Sequence, residues 1–332
     1  MILAAVAVLV GLVVLVWSAD KFVDGAVGIA EFCGMSTLLI GMVIVGFGTS
    51  APELTVSAIS AAQGNPELAL GNAYGSNIAN IALILGATAL ISPILMQRSV
   101  IRGDLPILLL VSLLSIFLVC DGSVSRVNGI VLLIVFAAAM GYSIWREMKK
   151  AKAEKADDSQ NSSDTSLQAE GETTQKSSLG KSILWLVLGF ALLVASSRSL
   201  VWGAVEIARA LGVSDLLIGL TIVAIGTSLP ELASSIAAAR KGENDLALGN
   251  IIGSNLFNTL AVVGFAATIT PMGDVEAAVV SRDMPLMTIL TVSLMVLGFR
   301  RGGGDGRLNR IAGVILLLVY VGYLGLLVAQ AL

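Results

Sequence analysis

Histidine is absent from this chain of 332 residues. That absence removes a Ser–His dyad, an imidazole metal site and a histidine proton switch together. Cysteine occurs only twice, at Cys33 and Cys120. Charged residues make up 13% of the chain and aromatic residues 5%. A soluble protein of this length carries about twice that charge. Hydrophobic residues fill the gap, at 56% of the chain with a mean hydropathy of +0.91. Apolar runs near the spanning length of roughly 20 residues recur along the sequence. They predict ten spans, at 2–19, 37–61, 68–91, 105–120, 127–145, 182–204, 215–239, 246–271, 284–299 and 308–330. The strand-type alternation of an outer-membrane barrel is missing, so the expected fold class is an all-α membrane protein. Residues 1–17 lack a basic start and a small-residue cleavage site, and read as the first span, not a signal peptide.

A 46-residue segment occurs twice. Residues 41–86 align without a gap to residues 219–264, at an offset of 178, with 22 of 46 positions identical. The match extends outward: Gly34-x-Ser36 with Gly212-x-Ser214, Asp104-x-Pro106 with Asp283-x-Pro285, Arg126-x-Asn128 with Arg307-x-Asn309, and Gly141-Tyr142 with Gly322-Tyr323. Each half therefore holds about five spans, and an odd number forces the second copy to insert upside down. The expected architecture is ten transmembrane helices in two inverted five-helix repeats. The first repeat is 1–145 with its motif at 41–86, the second 182–332 with its motif at 219–264. Between them, 146–181 is polar, of mixed charge and rich in Ser and Thr, a tether that cannot bury a core, with a short helical start at 146–155.

Lysine and arginine orient the bundle. With the N-terminus outside, sixteen of the 20 basic residues fall on the inner side, and only Arg126, Arg198, Arg209 and Arg282 on the outer. The linker is then cytoplasmic and both termini face out. Cys33 and Cys120 lie toward opposite faces, so no disulfide is expected between them.

Each repeat carries one carboxylate inside a membrane-length segment, Glu53 and Glu231. A charge there costs several kcal/mol unless balanced. Gly46, Gly48 and Pro52 interrupt the second span around GTSAPE. Pro52 has no N–H, so the Gly48 carbonyl loses its helical donor. Thr49 and Ser50 lie four and three residues before Glu53, on one face. The seventh span repeats this with Gly226, Thr227, Ser228, Pro230 and Glu231. Asn72, Ser76 and Asn80 form a polar stripe on the third span, matched by Asn250, Ser254 and Asn258 on the eighth. Asn72 and Asn250 read equally well as ligands or as bridges between helices. Gly71-x-x-x-Gly75 and Gly249-x-x-x-Gly253 let backbones approach closely, drawing each stripe against a broken helix. Two carboxylates, hydroxyls, amides and freed carbonyls make an all-oxygen cage, which suits Ca²⁺ or Na⁺ and not zinc or copper. Asp20, Asp24 and Glu31 read as residues of a solvated loop.

The motifs GTSAPEL with GNAYGSNIAN, and GTSLPEL with GNIIGSNLFN, resemble the two repeats of the cation/calcium antiporter superfamily, in its sodium/calcium exchanger branch. The resemblance covers essentially the whole chain. It implies ten helices in two inverted halves and exchange of about three Na⁺ for one Ca²⁺, with the ions as substrates and no cofactor. It implies no nucleic acid and no obligate protein partner, and a bacterial-type plasma membrane location. Carried over by position, Glu53 and Glu231 are the central Ca²⁺ ligands, completed by the backbone carbonyls of Thr49 and Thr227. Ser50, Ser76, Ser228, Ser254 and the carbonyls of Gly46 and Ala224 serve Na⁺, and the first and sixth spans slide as a pair. Some relatives, the potassium-dependent ones among them, carry Asp where Asn258 stands. Asn80 and Asn258 are both neutral here, so potassium dependence is not expected and the site holds two carboxylates.

Four functions remain: a Na⁺/Ca²⁺ antiporter, an antiporter of Ca²⁺ or another divalent cation against H⁺, an intramembrane enzyme with an acid/base glutamate pair, and a channel. An enzyme holds its two carboxyls in different environments, and here they are near copies. Inverted repeats with broken central helices favour alternating access over an open pore.

Overall fold

A computed structural model describes residues 1–161, 178–213, 218, 222, 224–298 and 305–331. The middle of the expected tether, the first part of the span expected at 215–239, and Ser214 lie outside these residues.

The protein is a bundle of helices. Helix α1 runs Ile2–Cys33. A bent pair follows, α2 (Thr37–Thr49) and α3 (Ala51–Ala62), with 44° between them. Then come α4 (Glu67–Ile91), strand β1 (Ile94–Met96), α5 (Val100–Val119) and α6 (Arg126–Asn161). The second half comprises α7 (Leu179–Ala210), the short α8 (Ala224–Thr227), α9 (Leu229–Arg240) and α10 (Asn244–Ile269). It closes with α11 (Val279–Gly298), strand β2 (Gly306–Leu308) and α12 (Arg310–Ala331). Among the described residues eight helices are long and apolar enough to cross a membrane, or nine counting the bent pair.

The first span does not stop at residue 19. No proline or tight turn interrupts the sequence until Gly34, whose φ of 61° closes α1 in the left-handed region. Asp20, Asp24 and Glu31 therefore sit on a helix and not in a loop. Asp24 stays exposed and pairs with Lys241 at 2.5 Å. Likewise α6 carries the helix through residue 161, past the short helical start expected.

Helices α1 and α7 lie antiparallel and cross on glycines. A Cβ on Gly25 would fall 2.4 Å from Leu186 N, one on Gly189 2.7 Å from Phe22 N, and one on Gly203 2.6 Å from Ala4 O. Such close backbone approach is how helices associate where hydrophobic burial gives no drive. At the centre of the bundle α10 is buried along its whole apolar length, and α4 along most of it. The peripheral helices turn Leu110, Phe117, Ile134, Val187 and Leu318 outward, as a lipid-facing surface requires.

The connections gather at two ends. At one end, β1 pairs antiparallel with β2, Ile94 opposite Leu308, and Ser92 Oγ donates to Ala239 O at 3.0 Å. At the other, Val124 bridges Met272, and Thr270 Oγ1 donates to Ala61 O at 2.7 Å. The matched turns after α3 and α9 both rest on glycine, Gly64 and Gly242, each with φ of 84°, a region closed to most side chains.

Candidate ion-binding site

Both helix breaks fall where the proline motifs place them. Ser50 has φ, ψ of −87°, 1° and Ser228 of −92°, 9°, between the helical and extended regions, and the carboxylate follows three residues later. Backbone N–H groups at the Ser50 cap reach the carbonyls of both Gly46 and Gly48. The Gly48 carbonyl is thus not freed as expected, because the chain tightens its turn to supply a donor. In the second copy the proline-orphaned carbonyl is that of Gly226, and a side chain serves it: Ser197 Oγ on α7 donates to it at 3.1 Å. Ala19 stands at the corresponding position of α1, so this bond has no counterpart in the first half.

Glu53 and Glu231 are both buried, each 2% exposed. The two face each other closely enough for their charges to repel, and Glu231 approaches Thr49 and Ser50 across the gap between the halves. Ser50 Oγ, Glu53 Oε2, Ser228 Oγ, Glu231 Oε2, Asn80 Oδ1 and Asn258 Oδ1 are all buried oxygens without a hydrogen-bond partner. Buried polar atoms are normally paired, and a run of exceptions demands a cause. These six are half of the twelve such side-chain atoms among the described residues, and they belong to residues the sequence marks as ligands. Two buried carboxylates, each with one oxygen unpaired, are stable as anions only where cations balance them, and an oxygen-only donor set suits Ca²⁺ and Na⁺.

The remaining candidates divide by position. Ser254 Oγ donates to Gly46 O at 3.4 Å, bringing two of them together across the halves. The Thr49 hydroxyl is buried between Val45 O, at 3.1 Å, and Asn250 Oδ1, at 3.2 Å. Ser76 and Thr227 line a cavity of about 440 Å³ that opens toward exposed Glu276 and Gln330. Ala224 begins α8, one turn before Ser228. Asn72 and Asn250 are helix bridges: Asn72 Nδ2 donates to Glu53 O and Ser57 Oγ at 3.3 and 3.1 Å. Asn250 Nδ2 faces Glu231 O, Ser234 Oγ and Ser235 Oγ at 3.0–3.4 Å. Both reach the backbone beneath a carboxylate, and Asn72 also lines the cavity.

Three features escape the sequence reading. Asn255 accepts from Asn80 Nδ2 at 2.9 Å, leaving the Asn80 carbonyl oxygen free, and Asn77 bonds Thr259 at 2.7 Å. Both lie one position beyond the matched serines, and the duplicated Gly-Ser-Asn triplet is the signal that could have found them. Ser197 lacks any such mark. The third is the π-helical turn, at Ala79–Leu85 and again at Phe257–Val262, which swings Asn80 and Asn258 relative to a regular helix.

The two GxxxG pairs differ. Cβ atoms on Gly249 and Gly253 would lie 2.3 Å from Leu38 O and 2.4 Å from Met42 O, the close approach expected. Gly71 and Gly75 instead line the 440 Å³ cavity, and most of the segment expected to cover them, 215–221, lies outside the described residues.

The sequence pattern of the family described as "Sodium/calcium exchanger protein" matches residues 3–145 and 181–329. The chain is 47% identical over 326 residues to the putative antiporter CaxA of Alkalimonas amylolytica, covering 97% of this chain and 98% of that one. It is 31% identical over 341 residues to the sodium/calcium exchanger MaX1 of Methanosarcina acetivorans, covering 95% and 96%. Its fold superposes on the solved sodium-calcium exchanger NCX_Mj with a TM-score of 0.80, at 29% identity and 98% coverage of both chains. The chain is a multi-pass, all-helical integral membrane protein, and it belongs to the sodium/calcium exchanger family of antiporters.

Proposed function

We propose that this protein is a secondary active antiporter that exchanges Na⁺ for Ca²⁺, electrogenically and by alternating access. The observation that carries the reading is the cluster of six unpartnered buried oxygens at Ser50, Glu53, Asn80, Ser228, Glu231 and Asn258. Glu53 and Glu231 bind Ca²⁺ with the carbonyls of Thr49 and Thr227. Ser50, Ser76, Ser228, Ser254 and the carbonyls of Gly46 and Ala224 take Na⁺, and the amides of Asn80 and Asn258 complete the cage. No resident cofactor is needed.

The chain acts as two inverted five-helix repeats, 1–145 and 182–332, joined by a cytoplasmic linker at 146–181. Several contacts support that arrangement. The α1–α7 crossing is antiparallel and uses Gly11 with Gly189 and Gly25 with Gly203, which are repeat partners. Among the described residues, these cross-half contacts between connections join segments that lysine and arginine assign to the same side: Lys241 with Asp24, and β1 with β2, inside; Val124 with Met272 outside. The cavity at Ser76 and Thr227 then opens outward, and both termini lie outside the plasma membrane.

The test is Ca²⁺ uptake into proteoliposomes of the purified full chain. An outward Na⁺ gradient should drive uptake of radioactive Ca²⁺, and collapsing that gradient should stop it. Uptake driven by a pH gradient in the absence of Na⁺ would refute sodium coupling and establish exchange against H⁺ on the same scaffold.

A further inference from the structure

Asp104 and Asp283 are matched by the duplication, each two residues before a proline. Each ends a π-helical turn, Val100–Asp104 and Val279–Asp283, and each is buried, at 1% and 5% exposure. Each also holds an arginine. Arg146 Nη2 donates to Asp104 Oδ1 at 2.6 Å. Arg282 grips Asp283 with two bonds, Nε to Oδ1 at 2.7 Å and Nη2 to Oδ2 at 3.0 Å.

The two arginines are not repeat partners. Gly103 stands at the position matching Arg282, and a Cβ there would fall 2.2 Å from Arg146 Nη1. Arg146 comes from α6, four residues after Tyr142, where the second half has Leu327 four residues after Tyr323. The same charge pair is therefore built at both ends from different helices. A guanidinium lies against a buried aspartate at each end, supplied by a different element in each half.

What surrounds the outer pair shows why. Arg282 and Asp283 line the 440 Å³ cavity whose deep end is Ser76 and Thr227. A loose guanidinium there would reach down the path of an incoming cation and repel it. Instead the Asp283 carboxylate, backed by the Tyr323 hydroxyl at 3.1 Å, clamps Arg282, and the far Nη1 is turned to Gln330 at the rim. In the other copy the residues matching Ser76 and Thr227, Ser254 and Thr49, are buried, and Asp104 is buried as well.

We propose that Asp283–Arg282 and Asp104–Arg146 are side-specific gatekeeper pairs of the outer and inner mouths, in which the aspartate is a positioning residue that holds an arginine off the cation path. This rests on the antiport reading and on its assignment of sides. The pairs set how readily a divalent cation reaches the site from one face, and leave the site itself unchanged.

The experiment measures Na⁺-driven Ca²⁺ flux by the full chain in right-side-out and inside-out membrane vesicles, giving a KM for Ca²⁺ from each face. Asp283→Asn should raise the external KM about three- to tenfold, as an unbalanced cation in a narrow mouth does, with the internal KM unchanged. Arg282→Gln should move the external KM in the opposite direction. Asp104→Asn and Arg146→Gln should reproduce the two effects on the internal KM alone. Arg282→Gln combined with Asp283→Asn should return the external KM toward the wild-type value. Equal changes from both faces, or the same sign for both single variants, overturn the proposal. If Asp283→Asn does not fold, the sign and sidedness of the Arg282→Gln effect decide. Wild-type vesicles without Na⁺-driven flux would refute the antiport reading instead, so the two failures are distinguishable.

Discussion

Replacing Glu53 or Glu231 with glutamine separates an ion ligand from a structural carboxylate, because the two roles predict opposite effects on stability. Each side chain is 2% exposed, and each leaves Oε2 without a hydrogen-bond partner. With no cation bound, two carboxyl groups are held close together away from water, where ionising both costs stability. Glutamine removes one charge at nearly constant shape, so each variant should melt no lower than wild type in Ca²⁺-free, Na⁺-free buffer. With Ca²⁺ at about 100 times its Kd, ligand linkage should stabilise wild type by about 2.7 kcal/mol. Unfolding entropy of about 2.1 cal/mol/K per residue makes that a rise in Tm of at least ~4 °C for a chain of this length. The variants should lose this rise. Leaving a buried charge half balanced costs about 3–5 kcal/mol, so Ca²⁺ affinity should fall by roughly two to three and a half orders of magnitude. The assay is thermal melting in detergent with and without Ca²⁺, paired with Ca²⁺ flux in proteoliposomes. A variant that melts lower than wild type without ions, yet keeps its Ca²⁺-dependent rise and near-normal flux, would show that the carboxylates are structural.

Three further outcomes follow from the same geometry. With two site carboxylates and neutral Asn80 and Asn258, bound Ca²⁺ leaves the site neutral and three Na⁺ leave it at about +1, so transport should be voltage-dependent, at about 2.3 kcal/mol per charge per 100 mV. Asn258→Asp should weaken that dependence in vesicles clamped with potassium and valinomycin, and voltage-independent but Na⁺-coupled flux in wild type would exclude a three-for-one exchange. Ser197→Ala should strand the Gly226 carbonyl that Pro230 cannot serve, lowering stability by about 1–3 kcal/mol and weakening apparent Ca²⁺ affinity at the adjacent Thr227; unchanged melting and unchanged Ca²⁺ dependence would remove Ser197 from the site's support. Cys33 and Cys120 are both exposed and serve as native topology probes: a membrane-impermeant maleimide added to intact cells should label Cys120 and spare Cys33, and labelling of both would break the inverted-repeat arrangement.

Most of the site is legible in the sequence because its residues sit in a repeated motif within a few turns of one another. Ser50, Glu53, Ser228 and Glu231 need only the proline break and a helical period to be brought together. What escapes is contact between segments distant in the chain. Asn80 meets Asn255 only because the halves interlock, and Ser197 meets Gly226 only because α7 packs against the break of the following span. Hydropathy also misplaces the end of α1, since Asp20 and Asp24 end an apolar run without ending a helix. Exposed acids can ride a helix beyond the membrane and pair with Lys241.

The deepest limit concerns symmetry. The two GxxxG motifs, 71–75 and 249–253, are repeat partners and read identically, yet one lines a cavity and the other lies against the backbone of α2. A duplicated sequence cannot say which copy is open, because exchanging the copies leaves the pattern unchanged. On the alternating-access reading proposed above, the difference belongs to a conformational state and not to composition. The same segments in exchanged roles would close the mouth at Ser76 and open one at Ser254. That exchange would carry Asp283 from an open mouth into a closed one, and Asp104 the other way. If the two states lie within a few kcal/mol of each other, an ion that binds Glu53 and Glu231 equally well in both shifts neither. The Na⁺ and Ca²⁺ loads must then differ in how far they let the halves close. The unequal supports of the two breaks, Ser197 on one side and Ala19 on the other, and the unmatched Arg282 and Arg146, are where this chain departs from the symmetry that would make the two states equal.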